Sequence, residues 1–267
     1  MCYHSAIIHS FGMATYVTEG VVLKYYSYRD NDRLFTIYTK EYGKIEVIGR
    51  GTNKIISKLA GHLEPFTQSL FMIATGRRWD VLAQARTISS YPNIKISLRS
   101  LSSVSVIGEA IDTLTKQMQQ DERLYNFFLT ILDAWNRKEP EKSAMYGSLW
   151  KVLMILGYSP RLESCVFCNN VLQDSVVPFF SFLQGGFLCA RCVAYDPEAW
   201  IVSNDAFVWL THSLSTQEDD QSSAPHSHKE LERATLRLIA YYYQYILGDN
   251  HIPKSLRFFK YIWPSTV

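Results

Sequence analysis

The chain has 267 residues, 47% of them hydrophobic and 19% charged, with a formal net charge of +2. That supplies apolar material for one large domain or two to three small ones, and it excludes a disordered or low-complexity protein. No apolar run approaches the ~18 residues of a membrane span, and no charged leader with an apolar run and cleavage site precedes the fold, so a reducing cytoplasm is expected.

Residues 1–13 read as an irregular leader outside the fold, with Met13 a candidate natural start. From 14 to 90 the apolar period is two, the signature of strands. Val17 to Tyr26, Leu34 to Thr39, Lys44 to Arg50, Phe66 to Ala74 and Arg77 to Ala85 make five. Glu41-Tyr42-Gly43 and Thr75-Gly76 read as hairpin connections, with glycine where a positive φ is expected. Five short strands in so few residues predict a small barrel of the oligonucleotide-binding (OB) type, with an SH3-like barrel as the alternative. The segment holds eleven Lys and Arg against seven Asp and Glu, so it is +4 while the remainder is −2. A basic module on a near-neutral chain points toward a polyanion, although solvated faces carry such surpluses too.

Beyond Pro92 the period changes to about 3.6. Leu98, Leu101, Ile107, Ile111, Leu114 and Met118 stripe one helix; Leu124, Phe127, Phe128, Ile131, Leu132 and Trp135 a second; Met145, Leu149, Val152, Leu153 and Leu156 a third that ends at Gly157. A last helix opens at the capping box Ser227-His228-Lys229-Glu230 and runs to Gly248. These stripes are core before they are ligand sites. The predicted fold class is α+β, a five-stranded OB-type barrel over 14–90 followed by a helical domain over 91–267, with a zinc knuckle at 161–196 inserted in it.

That knuckle is the sharpest signal. Cys165-Val166-Phe167-Cys168 and Cys189-Ala190-Arg191-Cys192 are two CxxC pairs 20 residues apart, and such spacing closes a tetrahedral Zn²⁺ site. Four sulfurs leave no open position for a reactive water, so the zinc reads as structural; disulfides or a redox dithiol are the alternatives. His226 and His228 in the soft loop before the last helix read as incidental. Catalysis has little support: there is no GxxxxGK[ST] loop, HExxH helix or GxSxG elbow. Gly49-Arg50-Gly51-Thr52-Asn53-Lys54 lacks the spacing of a phosphate loop and reads as a basic turn ending a strand.

The ordered set now becomes specific: a basic barrel whose first strand carries Glu19-Gly20-Val21-Val22-Leu23, a helical domain, Leu156-Gly157-Tyr158-Ser159-Pro160, the CxxC pairs with Gly185-Gly186-Phe187-Leu188-Cys189, and a closing Leu247-Gly248 and Lys254-Ser255-Leu256-Arg257. From Thr15 onward it resembles the RecO family of bacterial DNA repair proteins, which are recombination mediators. The resemblance implies a non-enzymatic, cytoplasmic, nucleoid-associated protein. It would bind single- and double-stranded DNA, anneal complementary strands, and with RecR replace single-strand binding protein by RecA on gapped DNA.

Phosphate contacts are expected from Lys24, Arg29, Arg33, Lys44, Arg50, Lys54, Lys58, Arg77 and Arg78, which fall on barrel strands and their loops. Arg77 and Arg78, adjacent on one strand, should face opposite ways. Tyr25, Tyr28, Tyr38 and Trp79 are stacking candidates for exposed bases, with core packing as the other reading of each. Asp30 and Asp32 dilute the charge beside Arg29 and Arg33. The resemblance further implies that the acidic, apolar tail of single-strand binding protein docks on the helical domain, for which Lys151, Arg161, Lys229, Arg233, Arg237 and Arg257 are candidate rim cations. A zinc-stapled adaptor without DNA affinity and a zinc-dependent nucleic-acid enzyme are the competing readings.

Overall fold

Alternating apolar residues close the first ninety residues into a barrel. In the computed structural model its strands are β1 (Thr15–Tyr28), β2 (Asp32–Thr39), β3 (Gly43–Gly49), β4 (Gln68–Ala74) and β5 (Asp80–Ser89). The structure describes residues 14–54, 56–57, 59–172, 179–204, 207, 243, 245–246 and 254–263. The strand order is β1-β2-β3-β5-β4, antiparallel throughout except for β3 and β5, which pair in parallel with Val47 opposite Asp80. β1 is long because it serves two partners, β4 through Thr15–Val21 and β2 through Gly20–Tyr28, with a register shift between Val22 and Lys24. Val22, Phe35, Ile37, Ile45, Val47, Leu63, Phe71, Ile73 and Leu82 fill the interior. This is the expected OB-type barrel rather than the SH3-like alternative.

Two strand expectations change. β5 starts at Asp80, not Arg77, so Arg77 and Arg78 both lie exposed in the β4–β5 connection and are not the opposed residues of a strand. The turn is fixed by the Asp80 carboxylate, which accepts from the Gly76 amide at 3.1 Å and from the Tyr16 hydroxyl at 2.8 Å. Gly76 is needed for close approach rather than a positive φ, since a Cβ there would stand 2.0 Å from the Trp79 carbonyl oxygen. Gly43 does take the left-handed conformation, at φ +64°.

The chain divides into two compact units. One holds the residues up to Ser90 with Lys116–Tyr125, the other Tyr91–Thr115 and everything from Asn126. Within the first, the returning segment joins the barrel by backbone pairing: the Met118 amide donates to the Lys44 carbonyl at 2.9 Å. The helix expected to reach Met118 therefore stops at Leu114. Thr115 turns extended (φ −97°, ψ 145°), and Met118 is exposed at φ +56°.

The second unit contains α1 (Pro92–Ile96), α2 (Leu98–Leu114), α4 (Lys142–Ile155) and most of α3 (Glu122–Arg137). Ser97 caps α2, its hydroxyl accepting from the Ser100 amide at 3.1 Å. Gly157, at φ +84°, follows α4 as the sequence requires. A helix Lys254–Ile262 packs on α2, buries Leu256 and Phe259, and sets the Phe259 ring 5.9 Å from Tyr146 of α4. The Glu109 carboxylate of α2 accepts from the amides of Lys254 (3.1 Å) and Ser255 (2.8 Å), and from the Ser255 hydroxyl. A small sheet, β7-β6-β8, joins β6 (Phe179–Ser181), β7 (Gly186–Leu188) and β8 (Trp200–Ile201). The leader to Met13, Lys58, His226, His228, Lys229, Arg233, Arg237 and the helix expected from Ser227 lie outside the described residues. Among those described, no helix is long and apolar enough to cross a membrane.

Candidate functional site

The four cysteines converge. Each knuckle turns within its CxxC: the Asn169 amide donates to the Cys165 carbonyl at 2.9 Å, and the Cys192 amide to the Cys189 carbonyl at 2.9 Å. The strand delivering Cys189 lies against the first knuckle through the Val166 amide and the Phe187 carbonyl, 2.9 Å apart. Gly186 permits that approach, since a Cβ would meet Val166 Cγ1 at 2.5 Å and the Arg161 carbonyl oxygen at 2.6 Å.

All four sulfurs lie within 4.8 Å of one another, Cys168 and Cys189 at 3.8 Å, and none is in a disulfide. Tetrahedral zinc with bonds of ~2.3 Å spaces its sulfurs about 3.8 Å apart, so the donor set fits. Leu188 with Val166, Leu172, Phe179 and Ala199 packs around Cys165 and Cys192. Burial pushes the Cys165 thiol up, but backbone N–H groups of Cys168, Cys189 and Phe167 and the Cys168 side chain more than offset this and bring it down to about 6. Burial, together with the side chains of Cys189, Cys168 and Cys165 and the Cys165 charge, pushes Cys192 up to about 12. Four sulfurs this close repel one another's charge when they ionise. A metal held by Cys165, Cys168, Cys189 and Cys192 would balance that charge and tie two chain segments together.

The barrel cations do not form one group. Arg29, Arg33, Arg50 and Lys54 gather where β1 turns into β2 and where the chain leaves β3, whereas Lys24 lies further back on β1, opposite Thr36. Arg29 is exposed in the turn with its guanidinium 5.3 Å from the Tyr28 ring centre, and Lys24 Nζ stands 5.2 Å over Tyr26. Arg50 and Lys54 are exposed in the loop after β3. Lys44 sits at the opposite end of β3, its carbonyl taken by Met118. Arg77 and Arg78 belong to that same end, because β5 enters beside β3 in parallel from the β2–β3 hairpin side, and the Tyr16 that bonds Asp80 also packs its ring 4.7 Å from Tyr42 of the hairpin. Among the described residues, no carboxylate forms an ion pair with Arg29, Arg50, Lys54, Arg77 or Arg78.

The aromatic candidates separate in the same way. Tyr38 is fully buried and belongs to the core, so it cannot stack a base. Trp79 is half-buried in the β4–β5 connection. Tyr25, 38% exposed, and half-buried Tyr28 remain beside the cations. Tyr26, passed over in the sequence, is 56% exposed, more than either. The signal in the sequence was adjacency alone: Tyr25 and Tyr26 on one strand must face opposite ways, and the structure shows that it is Tyr25 that lies against Phe35 of the barrel interior.

The acids nearby have a structural use, since Asp32 accepts from the Gly51 amide at 2.8 Å and so is not simply a diluting charge. Of the docking candidates, Lys151 is half-buried on α4 and Arg257 is exposed on the helix Lys254–Ile262. Arg161 belongs to the knuckle, where its guanidinium donates to Asn169 Oδ1 at 2.7 Å.

Comparison with known proteins agrees with this arrangement. The family model for recombination protein O N terminal matches residues 13–91, and that for recombination protein O C terminal matches residues 97–256. A DNA repair protein RecO of Bifidobacterium adolescentis is 30% identical over 238 residues, covering 88% of this chain and 96% of that protein. Those of Pelotomaculum thermopropionicum (31% over 183 residues, covering 68% and 70%) and Roseiflexus sp. (29% over 243 residues, covering 91% and 84%) are similar as well. With both family models matched in the order in which the barrel and the cysteine-bearing helical unit occur, the chain belongs to the RecO family of DNA repair and recombination proteins.

Proposed function

We propose that this chain is a non-enzymatic recombination mediator that binds single- and double-stranded DNA through its barrel and anneals complementary strands. With RecR it helps RecA replace single-strand binding protein. The observation that carries this is the edge formed by Arg29, Arg50 and Lys54, with Tyr25, Tyr26 and Tyr28 exposed or half-exposed on the adjoining end of β1 and Lys24 lying over the Tyr26 ring. Cations neutralise the phosphate repulsion that opposes annealing, and aromatic faces stack bases for ~1–3 kcal/mol each. Neither step needs covalent chemistry. The four-cysteine site holds Zn²⁺ as architecture, because its sulfurs fill the tetrahedral shell and leave nothing to activate water. Lys151 and Arg257 are the described cations left for docking the acidic tail of single-strand binding protein; Arg161 is engaged within the knuckle.

The test is fluorescence anisotropy of a labelled ~30-nucleotide single strand at several salt concentrations. Binding with a log–log salt slope near −0.7 per phosphate contacted supports the reading. Tyr26→Ala should weaken it by about 5- to 150-fold, the range of one lost base stack. Absence of binding at low salt would leave the zinc-stapled adaptor as the better account.

A further inference from the structure

Two irregular segments carry the exposed cations of the barrel edge, and a set of polar contacts joins them. Asp32, the first residue of β2, accepts from the Gly51 amide at 2.8 Å, and the Asn53 amide donates to the carbonyl of Asn31 in the β1–β2 turn at 3.0 Å. The Asn53 side chain bonds both ways: its Nδ2 donates to the Asp30 carbonyl at 3.4 Å, and its Oδ1 accepts from Arg33 Nη2 at 2.9 Å. The Arg33 guanidinium simultaneously lies 4.5 Å from the centre of the Tyr25 ring, which itself rests 5.7 Å from Phe35 of the barrel core. Arg33 is thus gripped on its face by a ring and on its edge by an amide, whereas Arg29, Arg50 and Lys54 are exposed.

We infer that Arg33 and Asn53 are positioning residues, which latch the β1–β2 turn to the Arg50–Lys54 loop so that Arg29, Arg50 and Lys54 present one pre-set row of charges to a single-stranded nucleic acid. The inference rests on the barrel being the nucleic-acid platform. Its physical basis is that a loop ordered before binding loses no affinity to the cost of ordering it, while an unlatched loop does. Arg33 then differs from its neighbours in kind, because its fork geometry and not only its charge is required, and lysine has no such fork.

The same anisotropy titration on the full chain, with Asn53→Ala, Arg33→Lys, Arg33→Ala and Lys54→Ala, separates latch from contact. Asn53→Ala and Arg33→Lys each weaken binding by about 3- to 10-fold, the scale of one hydrogen bond, at every salt concentration and with an unchanged log–log slope. Lys54→Ala instead makes the slope shallower by ~0.7. Thermal melting of Asn53→Ala stays close to that of the parent, because the latch is exposed and the core is untouched. The inference is overturned if Asn53→Ala binds like the parent, or if its loss of affinity comes with a collapse in melting temperature. It is equally overturned if Arg33→Lys keeps full affinity while Arg33→Ala makes the slope shallower by ~0.7, since Arg33 is then an ordinary phosphate contact. A parent protein that shows no salt-dependent binding strikes the platform reading itself, which is a different failure from a parent that binds and a latch that does not matter.

Discussion

Replacing Cys165 by serine removes a fully buried sulfur at the centre of the knuckle. Structural zinc contributes an apparent ~10–16 kcal/mol at neutral pH in small zinc-binding domains, so one of four ligands corresponds to about 3–4 kcal/mol. In a unit of this size each kcal/mol moves the melting temperature by ~2–4 °C, which gives a fall of about 6–16 °C. The shorter serine hydroxyl also retreats from the backbone N–H groups of Cys168, Cys189 and Phe167 that surround the sulfur. Metal content by atomic emission, paired with thermal unfolding, reads both consequences. The expected results are one zinc per chain in the parent, less than one and more readily stripped in Cys165→Ser, and a chelator-treated parent that melts below the variant, since it loses all four ligands' share and not one. A Cys165→Ser protein that retains a full equivalent of zinc, or a parent whose melting is indifferent to the chelator, would refute the four-cysteine metal site.

Three further tests use four substitutions to probe packing elsewhere in the fold. Glu109→Ala removes the carboxylate that accepts from Lys254 and Ser255, and should cost about 2–4 kcal/mol by freeing the start of the helix Lys254–Ile262, seen as faster hydrogen exchange across Lys254–Ile262; unchanged protection there would contradict it. Gly43→Ala should destabilise far more than Gly51→Ala. Both residues have φ near +65°, but a Cβ at Gly43 would stand 1.9 Å from the Gln119 carbonyl oxygen, while at Gly51 nothing lies nearer than 3.9 Å. Equal denaturant midpoints for the two variants would show that the 116–125 segment is not seated on the barrel. Asp121→Ala should cost about 1 kcal/mol, since the Asp121 carboxylate accepts from the Arg123 and Leu124 amides at 3.0 and 3.2 Å and starts α3. Partial burial pushes that carboxyl up, but hydrogen bonds from Arg123 and Leu124 prevail and hold it below the ordinary value. The stabilisation is therefore complete above the unfolded pKa of ~3.9 and lost as pH falls below it, so parent and variant stabilities should converge in acid urea titrations.

The barrel was legible because period two is a direct consequence of strand geometry, and all five strands follow from it. What the pattern missed lies where a single contact overrides it. Arg77-Arg78-Trp79 continues the alternation, yet the Asp80 carboxylate gathers the Gly76 amide and the Tyr16 hydroxyl into a turn, and the strand waits until Asp80. Met118 continues the helical stripe, yet backbone pairing with Lys44 draws the segment onto the barrel. Backbone groups are the same in every residue, so such a pairing leaves no mark in the sequence.

The two candidate sites differ in legibility for a reason rooted in their chemistry. A metal fixes its ligands to about 0.2 Å, and only a few chain spacings reach that geometry, so the cysteine positions announce themselves. Phosphates ask only for positive charge within reach, and many placements satisfy that. The count of basic residues therefore pointed to the barrel but could not divide it into the edge at Arg29, Arg50 and Lys54 and the far end at Lys44, Arg77 and Arg78. Register does divide it, through the parallel pairing of Val47 with Asp80. Nor could composition tell that Asp32, an acid among cations, holds the Gly51 amide, or that the ring of Tyr25 holds Arg33. At this edge the residues that fix where the charge stands are Asp32, Asn53 and Tyr25, none of them cationic.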